Sequence, residues 1–145
     1  MTPLAEIIDT FQSVEPRMRL ELLLDYARRL PPLPPPYQAQ REAGLNRVPE
    51  CQTPVFLWVE QEADGRMHLI ADVAEEAPTV RGFVAILVAA LDGAPAQVAT
   101  QVPQDLLDRL GLSDLLRMNR AVGLAAVVAR VRKLAAQPQR QASIA

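Results

Sequence analysis

Residues 55–73 read Val55-Phe56-Leu57-Trp58-Val59-Glu60-Gln61-Glu62-Ala63-Asp64-Gly65-Arg66-Met67-His68-Leu69-Ile70-Ala71-Asp72-Val73. Val55 to Glu62 has the β-branched and aromatic content of a strand, Ala63-Asp64-Gly65 supplies a turn, and Arg66 to Val73 forms the return strand. On the return strand Met67, Leu69 and Ala71 share one face, while Arg66, His68 and Ile70 share the other. This period of two predicts one face on a core and the other at least partly wet. A lone hairpin is marginal in water. The rest of the chain has to cover it, and the rest reads as helix.

Upstream, Thr2-Pro3 is a helix start, a hydroxyl cap followed by proline at the first helical position. Leu4, Ile7, Ile8 and Phe11 follow at helical spacing. Pro16 opens a second helix whose apolar stripe is Leu20, Leu23, Leu24, Ala27 and Leu30. Pro31-Pro32-Leu33-Pro34-Pro35-Pro36 ends it and predicts an extended, semi-rigid spacer. Residues 37–54 have little periodicity and end in Val48-Pro49-Glu50-Cys51-Gln52-Thr53-Pro54, where flanking prolines predict a shaped loop rather than a helix.

Downstream, Thr79 is read as the cap of a helix that Asp92-Gly93 ends. Phe83 to Leu91 is apolar on every side, which predicts a buried central helix. Short helical pieces are expected around 95–101 and 103–110, another piece starting at Ser113, and a long helix over about 119–136. In that last helix Leu124, Val127, Val128, Val131 and Leu134 form the buried stripe, Pro138 closes it, and residues 138–145 are expected to be a disordered tail. The sum is an α+β fold, helices packed on a small antiparallel sheet with a long C-terminal helix, in one domain over 1–137.

Composition removes most common chemistries. The chain of 145 residues is 50% hydrophobic, with 15 basic against 17 acidic residues and a formal charge of -2. No basic excess suggests nucleic acid. No apolar run is long enough to span a bilayer, so no membrane partner is expected. The N-terminal residues Met1 to Glu6 lack the pattern of a secretory signal, and the expected compartment is the cytoplasm. There is one cysteine, Cys51, and one histidine, His68. One chain therefore offers neither a zinc site nor a thiolate-held iron–sulfur cluster, nor an internal disulfide. The single lysine, Lys133, is poorly placed for a pyridoxal site, and six scattered glycines make no phosphate-binding loop. No metal and no cofactor are expected.

Cys51 is what remains. A free cysteine is most often an inert buried hydrophobe, but this one lies in a loop, beside polar Glu50 and Gln52, where function concentrates. To act as a nucleophile it must ionise, and Glu50 opposes that, so a cation or helix N-terminus is needed nearby. Arg81 with Gly82, in the first turn of the apolar helix, and Arg120, in phase with the stripe of the last helix, are the candidates. The alternative for either arginine is a snorkelling side chain or an ion pair with Asp72, Glu75 or Glu76. His68 reads as a strand residue rather than a base, and Trp58 as hairpin packing.

Four motifs in order carry a family resemblance over residues 4–136: Leu30-Pro31-Pro32-Leu33-Pro34, Val48-Pro49-Glu50-Cys51-Gln52-Thr53-Pro54-Val55, Val80-Arg81-Gly82-Phe83 and Arg120-Ala121-Val122-Gly123-Leu124. The chain resembles SufE, the sulfur-acceptor proteins of iron–sulfur cluster assembly, with a SufE/IscU-like fold. Glu50 and Thr53 stand where the family often has glycine and serine. The resemblance implies that Cys51 takes persulfide sulfur from a pyridoxal-dependent cysteine desulfurase (SufS/CsdA-like), stimulates that enzyme and delivers sulfur to an iron–sulfur scaffold complex (SufBCD-like). It implies a supporting role at the thiolate or its loop for Gln52, Arg81, Gly82 and Arg120, and contact with the partner for Glu50, Thr53 and Asp72. Two other readings stay open: a single-cysteine transferase or redox enzyme relying on His68, and a structural adaptor. Because a persulfide is labile, the thiol is expected to rest against apolar surface and swing out on docking.

Overall fold

The hairpin forms as an antiparallel pair, β1 (Val55–Gln61) and β2 (Met67–Val73), in a computed structural model that describes residues 2–137. Val55 pairs with Val73, Leu57 with Ala71, Val59 with Leu69 and Gln61 with Met67, so these residues share the inner face. Phe56, Trp58 and Glu60 lie opposite Asp72, Ile70 and His68 on the outer face. The expectation of a partly wet outer face holds only for β2. On β1 both faces are buried from Val55 to Val59. The cover is the proline-rich segment: Leu33 and Tyr37 pack on Phe56, Trp58 and Ile70 in a cluster separate from the main core. Tyr37 and Trp58 rings lie 5.2 Å apart, and the Trp58 indole N–H donates to Gln40 Oε1 at 2.9 Å.

The inner face is covered by helices. α1 (Pro3–Ser13) starts as expected, with the Thr2 hydroxyl accepting from the Ala5 amide at 3.1 Å. α2 (Pro16–Arg28) buries Leu23 and Ala27, but Leu20 of the predicted stripe is exposed. The spacer is not extended throughout. Pro35 and Pro36 open α3 (Pro35–Glu42), an element that the lack of periodicity over 37–54 did not predict. Proline fits the first turn of a helix because its absent amide has no partner to lose there.

α4 (Pro78–Leu91) is the buried central helix, with every residue from Gly82 to Val88 buried. Its N-cap is Ala77 and Thr79 is its second residue, because Pro78 takes the first position. The Thr79 hydroxyl is thereby released for another use, described below. Gly82 lets α2 approach: a Cβ there would lie 2.3 Å from the Leu23 carbonyl oxygen. α5 (Ala96–Thr100), α6 (Leu106–Arg109) and a 3-10 turn at Ser113–Leu115 lead into α7 (Met118–Ala136). α7 buries Leu124, Val127, Val128 and Val131, while Leu134 is half-buried. The expected closing Pro138 and tail lie outside the described residues. Helices on a small two-stranded antiparallel sheet, ending in a long helix, are thus the architecture read from the sequence.

Candidate functional site

Cys51 sits at the tip of a loop whose base is tied to the hairpin. The Val48 amide donates to the Val55 carbonyl at 2.8 Å, and the Leu57 amide donates to the Asn46 carbonyl at 3.0 Å. Asn46 adopts φ 65°, and its side-chain amide donates back to the Leu57 carbonyl at 2.9 Å. Short polar asparagine tolerates this left-handed conformation better than most residues. Inside the loop the Cys51 amide closes a turn on the Val48 carbonyl at 3.2 Å. Proline at 49 and 54 cannot extend the pairing, so the chain between them bulges away from β1.

The sulfur points inward. Cys51 is 6% exposed, and its thiol donates to the Gly123 carbonyl of α7 at 3.3 Å. A Cβ at position 123 would lie 3.1 Å from Sγ, so only glycine leaves this space open without displacing the loop. A small cavity of about 70 Å³ remains at the sulfur, bounded by Val80 of α4, Gly123, Leu124 and Arg120 of α7, and Gln52 and Thr53 of the loop. The thiol is therefore sheltered between two helices, with polar groups at the rim.

Electrostatics keep it neutral. Burial, then the Glu50 carboxylate, push the thiol up to about 11, and the Arg47 guanidinium offsets part of this. Burial disfavours the thiolate because the charge loses water, and an adjacent carboxylate repels it. The carbonyl of Gly123 adds to this in geometry, since it accepts from S–H and faces a thiolate with its negative end.

The sequence-predicted residues divide into two groups. Gln52, Thr53 and Arg120 gather at the cavity, and Glu50 lies exposed beside the thiol. Arg120 Nη1 donates to Thr79 Oγ1 at 3.0 Å, bridging the starts of α7 and α4. Arg81, Gly82 and Asp72 serve elsewhere. Arg81 Nε donates to the Ala27 carbonyl at 3.1 Å and Nη1 to the Val73 carbonyl at 2.7 Å, which joins the end of α2 to the end of β2. These bonds go to carbonyl oxygens rather than to the thiol or to Asp72, Glu75 or Glu76. Gly82 faces Leu23 of α2. Asp72 pairs with Arg41 of α3 at 3.2 Å and so fastens α3 to the hairpin.

Arg47, Thr79, Val80 and Gly123 were not among the predicted site residues. The Arg120 motif contained Gly123, and a glycine inside a helix is a signal of close approach. Arg47 stands four residues before Cys51, a nearby cation that was itself a signal, and its bridge to Phe56 holds it beside β1. His68 lies at the opposite end of the hairpin from the thiol loop, its ring bonded to Glu62 and Asp92 at 3.2 Å each. Among the described residues no cluster of three His, Cys, Asp or Glu side chains could hold a metal, and no helix is long and apolar enough to cross a membrane.

Comparison with known proteins places this arrangement. A SufE-like protein of Mycobacterium tuberculosis is 40% identical over 131 residues, 90% of each chain. The sulfur acceptor protein CsdE of Escherichia coli is 33% identical over 106 residues, 72% of this chain and 68% of CsdE. The solution structure of a hypothetical protein from Thermus thermophilus superposes with a TM-score of 0.79 at 32% identity, covering 93% of this chain and 96% of that one. The SufE profile, an Fe-S metabolism associated domain, matches residues 5–135. With helices wrapped on a short hairpin and its lone thiol carried on the loop before the first strand, this chain belongs to the SufE family.

Proposed function

We propose that this protein is a sulfur acceptor of iron–sulfur metabolism, with residues 1–137 as one sulfur-acceptor domain and Cys51 as the receiving thiol. It would work in the cytoplasm, where a solitary thiol stays reduced. Its relative CsdE is named for sulfur acceptance. One structural observation supports this reading above the others: the lone cysteine stands at the tip of a tethered loop, its sulfur against a cavity rimmed by Arg120 and Gln52.

The donor is a cysteine desulfurase carrying a cysteine persulfide. Cys51 sulfur attacks the outer sulfur of that persulfide, a new S–S bond forms on Cys51, and the donor's S–S bond breaks. The donor leaves as a thiol after taking the proton that Cys51 gives up, so Cys51–SH plus donor–S–SH becomes Cys51–S–SH plus donor–SH. No electrons are gained or lost overall. The desulfurase is freed for another turnover, which is how the acceptor stimulates it, and the Cys51 persulfide then passes its outer sulfur to a cluster scaffold.

In the resting position the thiol hydrogen is committed to the Gly123 carbonyl. The attack therefore requires Cys51 to leave that carbonyl and move toward the rim, where Arg120 offers a positive charge. The two ends of the loop stay anchored by the Val48–Val55 and Asn46–Leu57 bonds, so the motion is confined to residues 49–54. Burial of the sulfur between α4 and α7 at rest shields a persulfide from reductant and from further oxidation. A transferase reading needs a base beside the sulfur, and His68 is bonded to Glu62 and Asp92 instead. The test is Cys51→Ser in a desulfurase turnover assay with reductant limiting: wild-type protein raises alanine production several-fold and the variant does not. Equal stimulation by the variant would favour a structural adaptor.

A further inference from the structure

The cavity at Cys51 is far smaller than the roughly 300 Å³ at which small-molecule sites begin, at about 70 Å³. It admits a terminal sulfur but not the segment that carries it. That segment has to lie on the adjoining surface, and the structure has a depression there. Gln52 and Arg120 line both spaces, and Leu115, Leu116 and Arg117 complete a depression of about 490 Å³. Its floor combines exposed Leu115, 43% accessible, with two arginines and no carboxylate.

Two other surface grooves differ in charge. The groove between the proline-rich segment and β2 is lined by Glu60, His68 and Asp92. The groove on α2 exposes Met18 but carries Glu21 and Asp25 beside Arg28. On a chain of net charge -2, the depression lined by two arginines is the one of these three that shares Gln52 and Arg120 with the sulfur cavity. Opposite charges across an interface steer association and fix orientation, and a partly exposed apolar side chain adds apolar area to be buried on docking.

Resting on the sulfur-acceptor reading, we propose that this depression seats the persulfide-bearing segment of the desulfurase, and that the segment presents a carboxylate to Arg117 and an apolar side chain to Leu115. Arg117 is the N-cap of α7 and Leu115 ends the 3-10 turn before it, so both stand outside residues 49–54 of the thiol loop. Docking thus brings a partner carboxylate to Arg117, one turn of α7 before the rim of the sulfur cavity.

The test uses full-length protein with Arg117→Glu, Leu115→Asp and, as a control groove, Met18→Asp. Affinity for the desulfurase is measured by calorimetry at low and high salt, and loading of Cys51 by inorganic polysulfide is measured separately by mass spectrometry. Arg117→Glu and Leu115→Asp are each expected to weaken binding about tenfold or more, while polysulfide loading stays within about twofold and Met18→Asp changes neither. Salt is expected to weaken wild-type binding and to matter less for Arg117→Glu. Unchanged affinity in both variants overturns the proposal, as does a parallel loss of polysulfide loading, which would make these residues part of the thiol's own pocket. A wild-type protein that binds the desulfurase normally but takes no sulfur from it would instead sink the sulfur-acceptor reading.

Discussion

A thiol whose hydrogen faces a carbonyl and whose neighbour is a carboxylate is a poor nucleophile until something moves. Cys51 is in that condition, with its ionisation pushed up to about 11. Alkylation by iodoacetamide follows the thiolate, so its rate in the isolated protein is expected to keep rising with pH toward about 11. Near neutral pH it runs about 10²-fold slower than a free thiol of pKa about 8.5. Glu50→Gln removes the repelling charge and raises that rate several-fold, whereas a rate equal to that of free cysteine in the wild type would contradict the sheltered geometry. Stability follows the same shift. Above the unfolded thiol's pKa the unfolded chain releases its proton first, so the fold loses stability as pH rises from there through about 11. At this scale the sequence was legible in part. A lone cysteine between prolines, opposed by Glu50, is a local fact. The cation that offsets Glu50 is Arg47, four residues before the thiol, rather than Arg81, which is held by the Ala27 and Val73 carbonyls.

Two helix glycines show how one residue type serves two ends. Gly82 admits the Leu23 backbone of α2, and Gly123 admits the Cys51 sulfur. Gly82→Ala forces a Cβ to within 2.3 Å of a carbonyl oxygen that cannot yield, and is expected to cost about 1–3 kcal/mol or more in chemical denaturation with the thiol still sheltered. Gly123→Ala meets Sγ at 3.1 Å on a loop that can shift, so the expected result is a smaller stability loss and several-fold faster alkylation. A reversal of that ranking would place the thiol support at Gly82, as its position in the first turn of α4 suggested. Apolar stripes announced α1, α2 and α7, and an all-apolar run announced α4, because these patterns reach the core directly. α3 was hidden because the proline run that ends α2 also supplies the first turn of the next helix. Thr79 was misread for a related reason: Pro78 moved the cap to Ala77, and the hydroxyl now accepts from Arg120.

Over the whole molecule, the hairpin is a two-sided support, with the main core beneath it and the Leu33–Tyr37–Trp58 cluster above. Helix patterning and turn chemistry made this α+β architecture readable, while the upper cover was not, since Leu33 lies in the proline run and Tyr37 in a short helix with no apolar stripe. The far end of the hairpin is pinned by His68 between Glu62 and Asp92, and those carboxylates raise its pKa, the Glu62 hydrogen bond most. A raised histidine pKa stabilises the fold fully below the unfolded value near 6.5 and loses that contribution as pH rises through the folded one. His68→Gln is therefore expected to lower stability at pH 5.5 by less than about 1 kcal/mol, as for exposed pairs, and to have little effect at pH 8.5. Equal losses at both pH values would mean the ring acts by packing alone.

The central claim is that sulfur arrives on Cys51. Intact-protein and peptide mass spectrometry after incubation with a cysteine desulfurase and free cysteine reads this directly. The expected result is an added sulfur atom on the peptide containing Cys51, removed by reductant and absent in Cys51→Ser; an unmodified Cys51 beside a desulfurase that has turned over would contradict it.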